Sequence, residues 1–475
     1  MPSENKETYY IPMPPPNITG QLHLGHSLFL TIQDSIARYY RKSGYNTLWL
    51  PGTDHAGLAT HQKIIDSFNG EIPNDIQYLE RAAELKDKHQ ATIINQIKKM
   101  GASCDWSRLN YTLDDNFKTA STFALSKLND ENLLYHKNGQ WYISMKEMAD
   151  DLLKAIHDDY FIINDQSEIN KLIHMLENIE DWCISRQIKW GFELPIYTAN
   201  DGSIHIFEND IQAIETIGID YIKETSTFDT WFTSSLWPMA TLGWPNKTDD
   251  YLKYYPAQII ETGADILFFW CARMLMIGKK MTGIYPFKEI YLHGICLDKN
   301  GQKMSKSLGN GIDPLDIIDI YGTDALRFAL LSKSTNKDMK ISKQDFLTAS
   351  KFINKIWQSF KFFGLQVEKQ NLDIQFNENG DFKNNIDILK NSFIEKMEKR
   401  DFLNLIRELQ HSYKHEFCDI WIEKNKRAIF DGNTEIIHHG LFILLSYLNM
   451  FHCFIPFITE NIAEYFGIRL IDKKY

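Results

Sequence analysis

Two imidazoles and two ammonium groups stand out by their spacing. His23 and His26 lie three residues apart in PPPNITGQLHLGH, which runs from Pro14 behind three consecutive prolines and encloses Leu24-Gly25. Lys303 and Lys306 lie three apart in QKMSKS, just after an Asn300-Gly301 pair. Two histidines so spaced at a helix start serve as metal ligands, or simply as packed and hydrogen-bonded side chains. On the pair alone, both readings stand. Position adds information. A helix amino terminus presents unpaired N–H groups and the positive end of the helix dipole, a setting suited to phosphate, and Gly25 removes a side chain where a ligand would approach. Imidazoles donating there would stabilise charge on a phosphate during transfer, which needs no catalytic base. Lysine ammonium groups are point-charge partners for phosphate, although a lone Lys-x-x-Lys is equally a solvated loop. Together, at the strand ends of two successive α/β segments, the pairs read as one phosphate cradle.

The elements that must position them follow from periodicity. Thr8 to Pro12 reads as a short strand. After His26, Leu28, Ile32 and Ile36 recur every four residues, so a helix follows, and Gly44 is placed to end it. Asn46 to Gly52 reads as a second strand. A strand–helix–strand opening binds its ligands beyond the carboxyl ends of the strands, and GTDHAG puts Asp54 and His55 on a loop at that edge. Tyr78 to about Leu134 is helix-rich, and His136 to Pro195 is mixed and without repeats. A second α/β half starts near Asp220, with a helix in ADILFFWCARMLMIGKKM closed near Gly283, a strand in EIYLHGICLD and a tight turn at Asn300-Gly301. From Asp324 onward the pattern is helical, with Gln375 to Asn385 as a loop, and reads as a helix bundle.

Composition narrows the classes. The chain has 475 residues, is 44% hydrophobic and carries a net charge of -11, which excludes disorder and a wholesale polyanion binder. It leaves room for a local basic face. The segment from Lys333 to Lys361 holds seven lysines against Asp338 and Asp345 alone, and reads either as a solvated surface or as a phosphate-contacting stripe. Six scattered cysteines form no C-x-x-C pair, so neither a structural zinc nor a disulfide framework is expected. MPSENKETYY lacks the apolar stretch of a signal peptide. LFILLSYLNMFHCFIPFI is interrupted by Ser446, Asn449, His452 and Pro456, and reads as bundle core rather than a membrane span. No membrane association is expected, and the cytoplasm is the expected location.

With these motifs in place, the sequence resembles the class I aminoacyl-tRNA synthetases and, among them, the valyl family. PPPNITGQLHLGH and QKMSKSLGN match the two class signatures. LPGTDHAGLAT, DWCISRQIKWG, FDTWFTSSLWPMATLGWP, DILFFWCARM and DPLDIIDIYGTDALRFAL match valyl-type blocks. NKIWQSFKFF, HEFCDIWIEKNK and FIPFITENIAEYF resemble the anticodon-binding helices more loosely. The resemblance implies an α/β, Rossmann-type catalytic domain in two halves, 1–134 and 220–330, a reduced connective region at 135–219 and a helical anticodon-binding-like domain at 331–475. It implies that valine attacks the α-phosphate of Mg-ATP, giving valyl-adenylate, and that tRNA is the acceptor; Mg2+ comes with ATP, and the chain acts as a monomer. His23 and His26 would meet the phosphates. Lys303 and Lys306 would hold the pyrophosphate side, and Gly25, Gly263, Asp265 and Lys306 would bind the nucleotide. Asp54 would hold the amino group, with Pro15, Trp231, Ile266 and Trp270 around the valine side chain. On residue type alone, the two tryptophans read as core packing, and Asp54 is equally a turn carboxylate.

The departures from the family bear on function. Tyr135–Gly139, YHKNG, resembles the block before the family's editing insertion, and QWYISM resembles the block after it. No editing-domain element lies between or elsewhere, nor are an N-terminal extension or a C-terminal arm expected. Trp190-Gly191-Phe192-Glu193-Leu194-Pro195 replaces the family's W-G-H-x-I-P, and Ala264 stands where an aromatic is usual. An apolar valine pocket cannot strongly reject threonine, a limit for which valine-specific synthetases are the standing example. Three functions remain on these grounds: a minimal synthetase without proofreading, a paralogue passing activated valine to another acceptor, and a non-enzymatic RNA-binding relative.

Overall fold

Strand β1, Thr8–Pro12, runs parallel to β2, Asn46–Leu50, with Thr8 opposite Asn46 and Pro12 opposite Leu50. Helix α1, Leu24–Ser43, makes the crossover and closes at Gly44, whose N–H reaches the Tyr40 and Arg41 carbonyls. The computed structural model describes residues 6–304 and 309–470. The expected stripe Leu28, Ile32, Ile36 is buried, and so are Gln33, Asp34 and Lys42, because both the sheet and the helical domain cover α1. Strand β2 stops at Leu50, short of the expected Gly52. Pro51 has no N–H to continue the ladder, and Gly52–Thr53 pairs instead with Asn110–Tyr111.

Helices α2, Asp75–Lys99, and α3, Asp115–Asp130, fill the helix-rich segment. Then β3, Leu134–Lys137, and β4, Gln140–Ile143, form an antiparallel hairpin closed by two residues, Asn138 at φ 51° and Gly139 at φ 75°. Left-handed backbone at both positions is the turn that matches strand twist, and Asn-Gly is its preferred sequence. The other edge of β4 takes Trp182–Cys183. A small sheet of Ile204–Ile206, Ile196–Ala199 and Tyr221–Lys223 follows, so it reaches past the expected boundary at 220.

The second half supplies β5, Ala257–Gly263, parallel to β6, Phe287–His293. Strand β5 lies beside β1, tied by the Tyr10 N–H to the Gln258 side chain. The expected helix between them is present, as α4, Arg273–Thr282, preceded by a tight turn at Ala264–Ile266 and a wide turn at Leu267–Ala272. The expected strand EIYLHGICLD breaks after His293, where the Gly294 N–H turns to the Thr335 carbonyl, and Cys296–Leu297 pairs with Met339–Lys340. Alternation across the sheet separates two cores. Tyr9, Ile11, Trp49, Ile259 and Tyr291 face one; Tyr10, Leu48, Leu50, Ile260 and Ile290 face the other, with the connective region.

The first core is continuous with the helical domain. That domain is built from α5, Thr323–Leu331, α6, Lys343–Gln370, α7, Lys383–Glu398, α8, Phe402–His411, α9, Thr434–Phe451, and α10, Pro456–Tyr465. The apolar stretch from Leu441 to Ile455 is its core, and among the described residues no helix is long and apolar enough to cross a membrane. One buried cluster locks this domain to α1. Arg327 of α5 donates to Asp34 Oδ2 at 2.6 Å, to the Met100 carbonyl at 3.2 Å and to the Phe454 carbonyl at 2.8 Å. Arg38 donates to Asp34 Oδ2 at 2.7 Å, and the Ser103 N–H and hydroxyl donate to Oδ1. Burial alone would raise the Asp34 carboxyl; Arg38, Arg327 and Ser103 outweigh it and hold the group well below the usual carboxylate range.

Arg327→Met should therefore cost about 3–5 kcal/mol, because it strips a partner from a buried charge. The measure is the urea midpoint. Since the folded Asp34 titrates below its unfolded value, its contribution is complete above about pH 4 and is lost as the pH falls further. The gap between wild type and Arg327→Met should narrow in acid.

Candidate active site

His23 is the N-cap of α1, and its backbone is extended at φ -123° and ψ 176°. Its Nδ1 accepts the Gly25 N–H at 3.1 Å, while His26 Nδ1 accepts the His23 N–H at 3.2 Å. This is a reciprocal capping box made by two imidazoles, with ring centroids 3.9 Å apart. It has a chemical consequence. A nitrogen that accepts carries no hydrogen, so each neutral ring carries its hydrogen on Nε2. Burial, with His23 and His293 nearby, lowers His26 to about 3, so its ring is neutral at physiological pH. His23 is exposed and His26 half-buried.

The proline loop is zipped to Asp54. The Asp54 N–H reaches the Pro16 carbonyl at 2.9 Å, and the Ile18 N–H reaches the Asp54 carbonyl at 3.0 Å, which leaves Pro15 half-buried beside this ladder. Asp54 Oδ1 accepts the Ala56 N–H at 2.6 Å and the Thr230 hydroxyl at 3.0 Å. Burial nonetheless pushes the Asp54 carboxyl up to about 6. Next to it, His55 is buried, bonded to the Thr112 hydroxyl at 2.7 Å and lowered by burial to about 3.

Thr230 begins the short helix Thr230–Ser235, which carries Trp231 half-buried and 6.5 Å from Phe269. Asp229 anchors that helix to the connective region, taking the Trp182 indole N–H at 2.9 Å and lying 3.2 Å from Arg186. Trp270 is 2% exposed, and its indole N–H goes to the Ser234 carbonyl at 3.1 Å on the same short helix. Trp270 therefore braces the short helix that carries Trp231. Ile266 is half-buried on the turn after β5.

At the end of β5, a Cβ on Gly263 would lie 2.6 Å from Asp265 Oδ1 and 3.7 Å from His293 Nε2. A side chain here would displace the Asp265 carboxylate from its position. His23, His26, Gly263, Asp265 and His293 thus gather at the carboxyl edge of β1, β5 and β6, with Asp54 beyond β2 at the same edge. Lys303 is exposed opposite Leu297, after the expected turn, in which the Asp298 N–H meets the Gln302 carbonyl at 2.8 Å. Lys306 lies outside the described residues.

Other expectations are modified. The lysine stripe is partly neutralised from outside its own segment: Lys337 meets Asp165 at 2.8 Å and Lys355 meets Asp419 at 2.9 Å, while Lys333 meets Asp345 at 2.8 Å. Phe192, where the family has histidine, packs on the core of the connective region. Among the described residues no three His, Cys, Asp or Glu side chains converge on a metal position. Sequence reasoning missed His293, although an imidazole followed by glycine at a strand end was the available signal. It also missed Glu261, an acid inside the apolar strand AQIIETG, which must have a buried partner.

The family described as tRNA synthetases class I (I, L, M and V) matches residues 2–139 and 134–342, and the anticodon-binding domain of tRNA ligase matches 381–474. The first match is in two pieces that meet at the β3–β4 hairpin. The chain belongs to the class I tRNA synthetases. Within that class it is similar to the valine–tRNA ligase of Borrelia garinii, 29% identical over 97% of this chain and 76% of that protein. It is similar also to the valine–tRNA ligase of Thermotoga maritima, at 28% over 96% and 76%. The first alignment extends over 665 positions with 475 residues here to fill them, so a long internal stretch of the relative has no counterpart. The fold is shared with a LeuRS from Agrobacterium radiobacter, solved with tRNA and LeuAMS, at TM-score 0.79, 14% identity and coverage of 100% and 87%. It is shared with methionyl-tRNA synthetase of Mycobacterium tuberculosis, solved with methionyl-adenylate, at TM-score 0.76, 18% identity and coverage of 98% and 94%.

Asp54→Asn keeps the Oδ1 acceptor and removes a buried charge. Because the folded carboxyl titrates above its unfolded value, wild type should lose stability relative to this variant as the pH rises from about 4 to about 6. The difference should level off near 3 kcal/mol, roughly, above that range. Thermal unfolding across pH reads it; a pH-independent difference would remove Asp54 as the titrating group.

Proposed function

We propose that this chain uses ATP to convert valine to valyl-adenylate and transfers the valyl group to tRNA, without proofreading. It would act as a cytoplasmic monomer. The observation that carries the reading is the His23–His26 capping box, in which both Nδ1 atoms accept and the ring hydrogen is left to Nε2, at the amino end of α1 on the edge that also holds Gly263, Asp265 and Asp54. The valine–tRNA ligases it resembles supply the choice of amino acid.

The chemistry asks for position and charge stabilisation. A valine carboxylate oxygen attacks the α-phosphorus of ATP, a P–O bond forms, and the bond to the departing pyrophosphate breaks. The carboxylate is already ionised, so no base is needed. His23 and His26 donate Nε2–H bonds to phosphate oxygens as negative charge shifts, adding to the helix-end field, and Gly25 leaves room for the phosphates. Gly263 and Asp265 receive the ribose, with the Asp265 carboxylate accepting from a hydroxyl. The valine ammonium pairs with Asp54, and this new positive neighbour favours the ionised form that burial alone opposes. Pro15, Trp231, Ile266 and Trp270 enclose the side chain, with the Trp270 indole N–H fixed on the Ser234 carbonyl. Lys303 and Lys306 neutralise pyrophosphate as it leaves. Mg2+ would arrive on the triphosphate and offset its charge, held through the nucleotide and not by a protein cage.

The two-residue closure at Asn138-Gly139 supports the absence of an inserted editing module. A pocket shaped for valine admits threonine, which differs by a hydroxyl for a methyl. Valine-dependent ATP–pyrophosphate exchange is expected, with transfer to valine-accepting tRNA; no exchange with any amino acid would overturn the activity. Threonine should also support exchange, and threonyl-tRNA once made should persist. Its rapid hydrolysis by the protein alone would contradict the missing second sieve. Lys306→Ala should lower exchange by roughly a hundredfold or more at unchanged thermal stability.

A further inference from the structure

One buried polar chain crosses the boundary between the two α/β halves. The Trp49 indole N–H donates to Gln33 Oε1 at 2.8 Å, and Gln33 Nε2 donates to Glu261 Oε2 at 2.8 Å and to the Glu261 carbonyl at 3.1 Å. Glu261 Oε1 lies 2.5 Å from His293 Nδ1. Glu261 is fully buried and His293 is 8% exposed. An ionised carboxylate can only accept, so the hydrogen of this contact sits on His293 Nδ1. In the uncharged ring Nε2 is then an acceptor, and it lies 3.7 Å from where a Cβ on Gly263 would stand, beside the Gly263–Asp265 turn. This is the reverse of His23 and His26, whose Nδ1 atoms accept and whose Nε2 atoms donate. The site thus holds imidazoles in both hydrogen patterns, two suited to phosphate oxygens and one suited to a hydroxyl.

We propose that Glu261 is a positioning residue that locks His293 with its hydrogen on Nδ1, so that His293 Nε2 accepts a hydrogen bond from a ribose hydroxyl of the nucleotide, beside Asp265. The assignment rests on the nucleotide reading above. It explains why a charged residue occupies the middle of a strand that is buried on both faces. A buried carboxylate is costly unless paired, and here the pairing gives one imidazole a defined orientation, as carboxylates do for ligating histidines elsewhere.

The test compares wild type, Glu261→Gln, His293→Gln and the double variant in two assays. Direct calorimetric binding of ATP, 2′-deoxy-ATP and 3′-deoxy-ATP needs no amino acid. Valine-dependent exchange separates KM for ATP from KM for valine. Wild type should bind one deoxy analogue more weakly than ATP, and both single variants should abolish that preference while weakening ATP by about tenfold. KM for valine should not move, and the double variant should be no worse than His293→Gln. Glu261→Gln that binds ATP and both analogues as wild type does would overturn the proposal, as would lowered thermal stability with the hydroxyl preference intact. Should Glu261→Gln not fold, His293→Gln at the rim of the cluster reads the same preference. A wild type that binds ATP and discriminates the analogues yet activates no amino acid would sink the synthetase activity and leave this assignment supported; a wild type that binds no ATP would overturn both.

Discussion

The Asp34 carboxylate is the constraint on which the arrangement depends. It is fully buried, so it must be paired and hydrogen-bonded or be neutralised. Its partners come from four places: Arg38 on α1 itself, Ser103 in the loop after α2, Arg327 on α5, and through Arg327 the carbonyls of Cys453 and Phe454 in the helical domain. The amino end of the helix that carries Asp34 holds His23 and His26. Helix α5, which carries Arg327, follows the segment of Lys303 and Lys306. One buried charge therefore sets the helix of the first signature motif against the chain that leaves the second. Asp324, three residues before Arg327, extends the same joint by accepting the Phe457 and Ile458 N–H groups at the start of α10.

Around this joint the site is an edge phenomenon. Strands β1, β2, β5 and β6 each end at the same side and each delivers one piece: the proline loop and α1, then Asp54, then Gly263 with Asp265, then His293. Because parallel strands connected by crossovers share a carboxyl edge, residues from distant segments meet there. The hydrogen-bonding pattern then specialises them. Capping turns His23 and His26 into Nε2–H donors, and Glu261 gives His293 the opposite pattern.

The β3–β4 hairpin shows how a catalytic framework of this class closes over a lost segment. Asn138-Gly139 joins the strands in the shortest hairpin, with left-handed backbone at both turn residues, and β4 keeps its second partner in Trp182–Cys183. The connective region stays anchored to the active site through Trp182 and Arg186 on Asp229. The short helix Thr230–Ser235 is held from that side.

Much of this was legible in the chain itself, for a physical reason. Helix α1, its end at Gly44, the strand–helix–strand opening, the Asn300-Gly301 reversal and the bundle core depend on local periodicity and turn chemistry, which short stretches encode. The placing of His23, His26 and Gly25 at a helix start and of Asp54 on the loop after a strand was legible in the chain, whereas Gly263 and Asp265 were singled out by resemblance to the family. What only the tertiary structure decided depends on partners far apart in sequence. The hydrogen on Nε2 of the two signature histidines follows from cap geometry. Glu261 gains its meaning from Gln33 and His293, and the lysine segment loses part of its free charge to Asp165 and Asp419. Trp270 becomes a brace once its indole N–H meets Ser234. Hydrogen bonds and buried charges are settled by who lies within about 3 Å, and no single stretch of sequence carries that information.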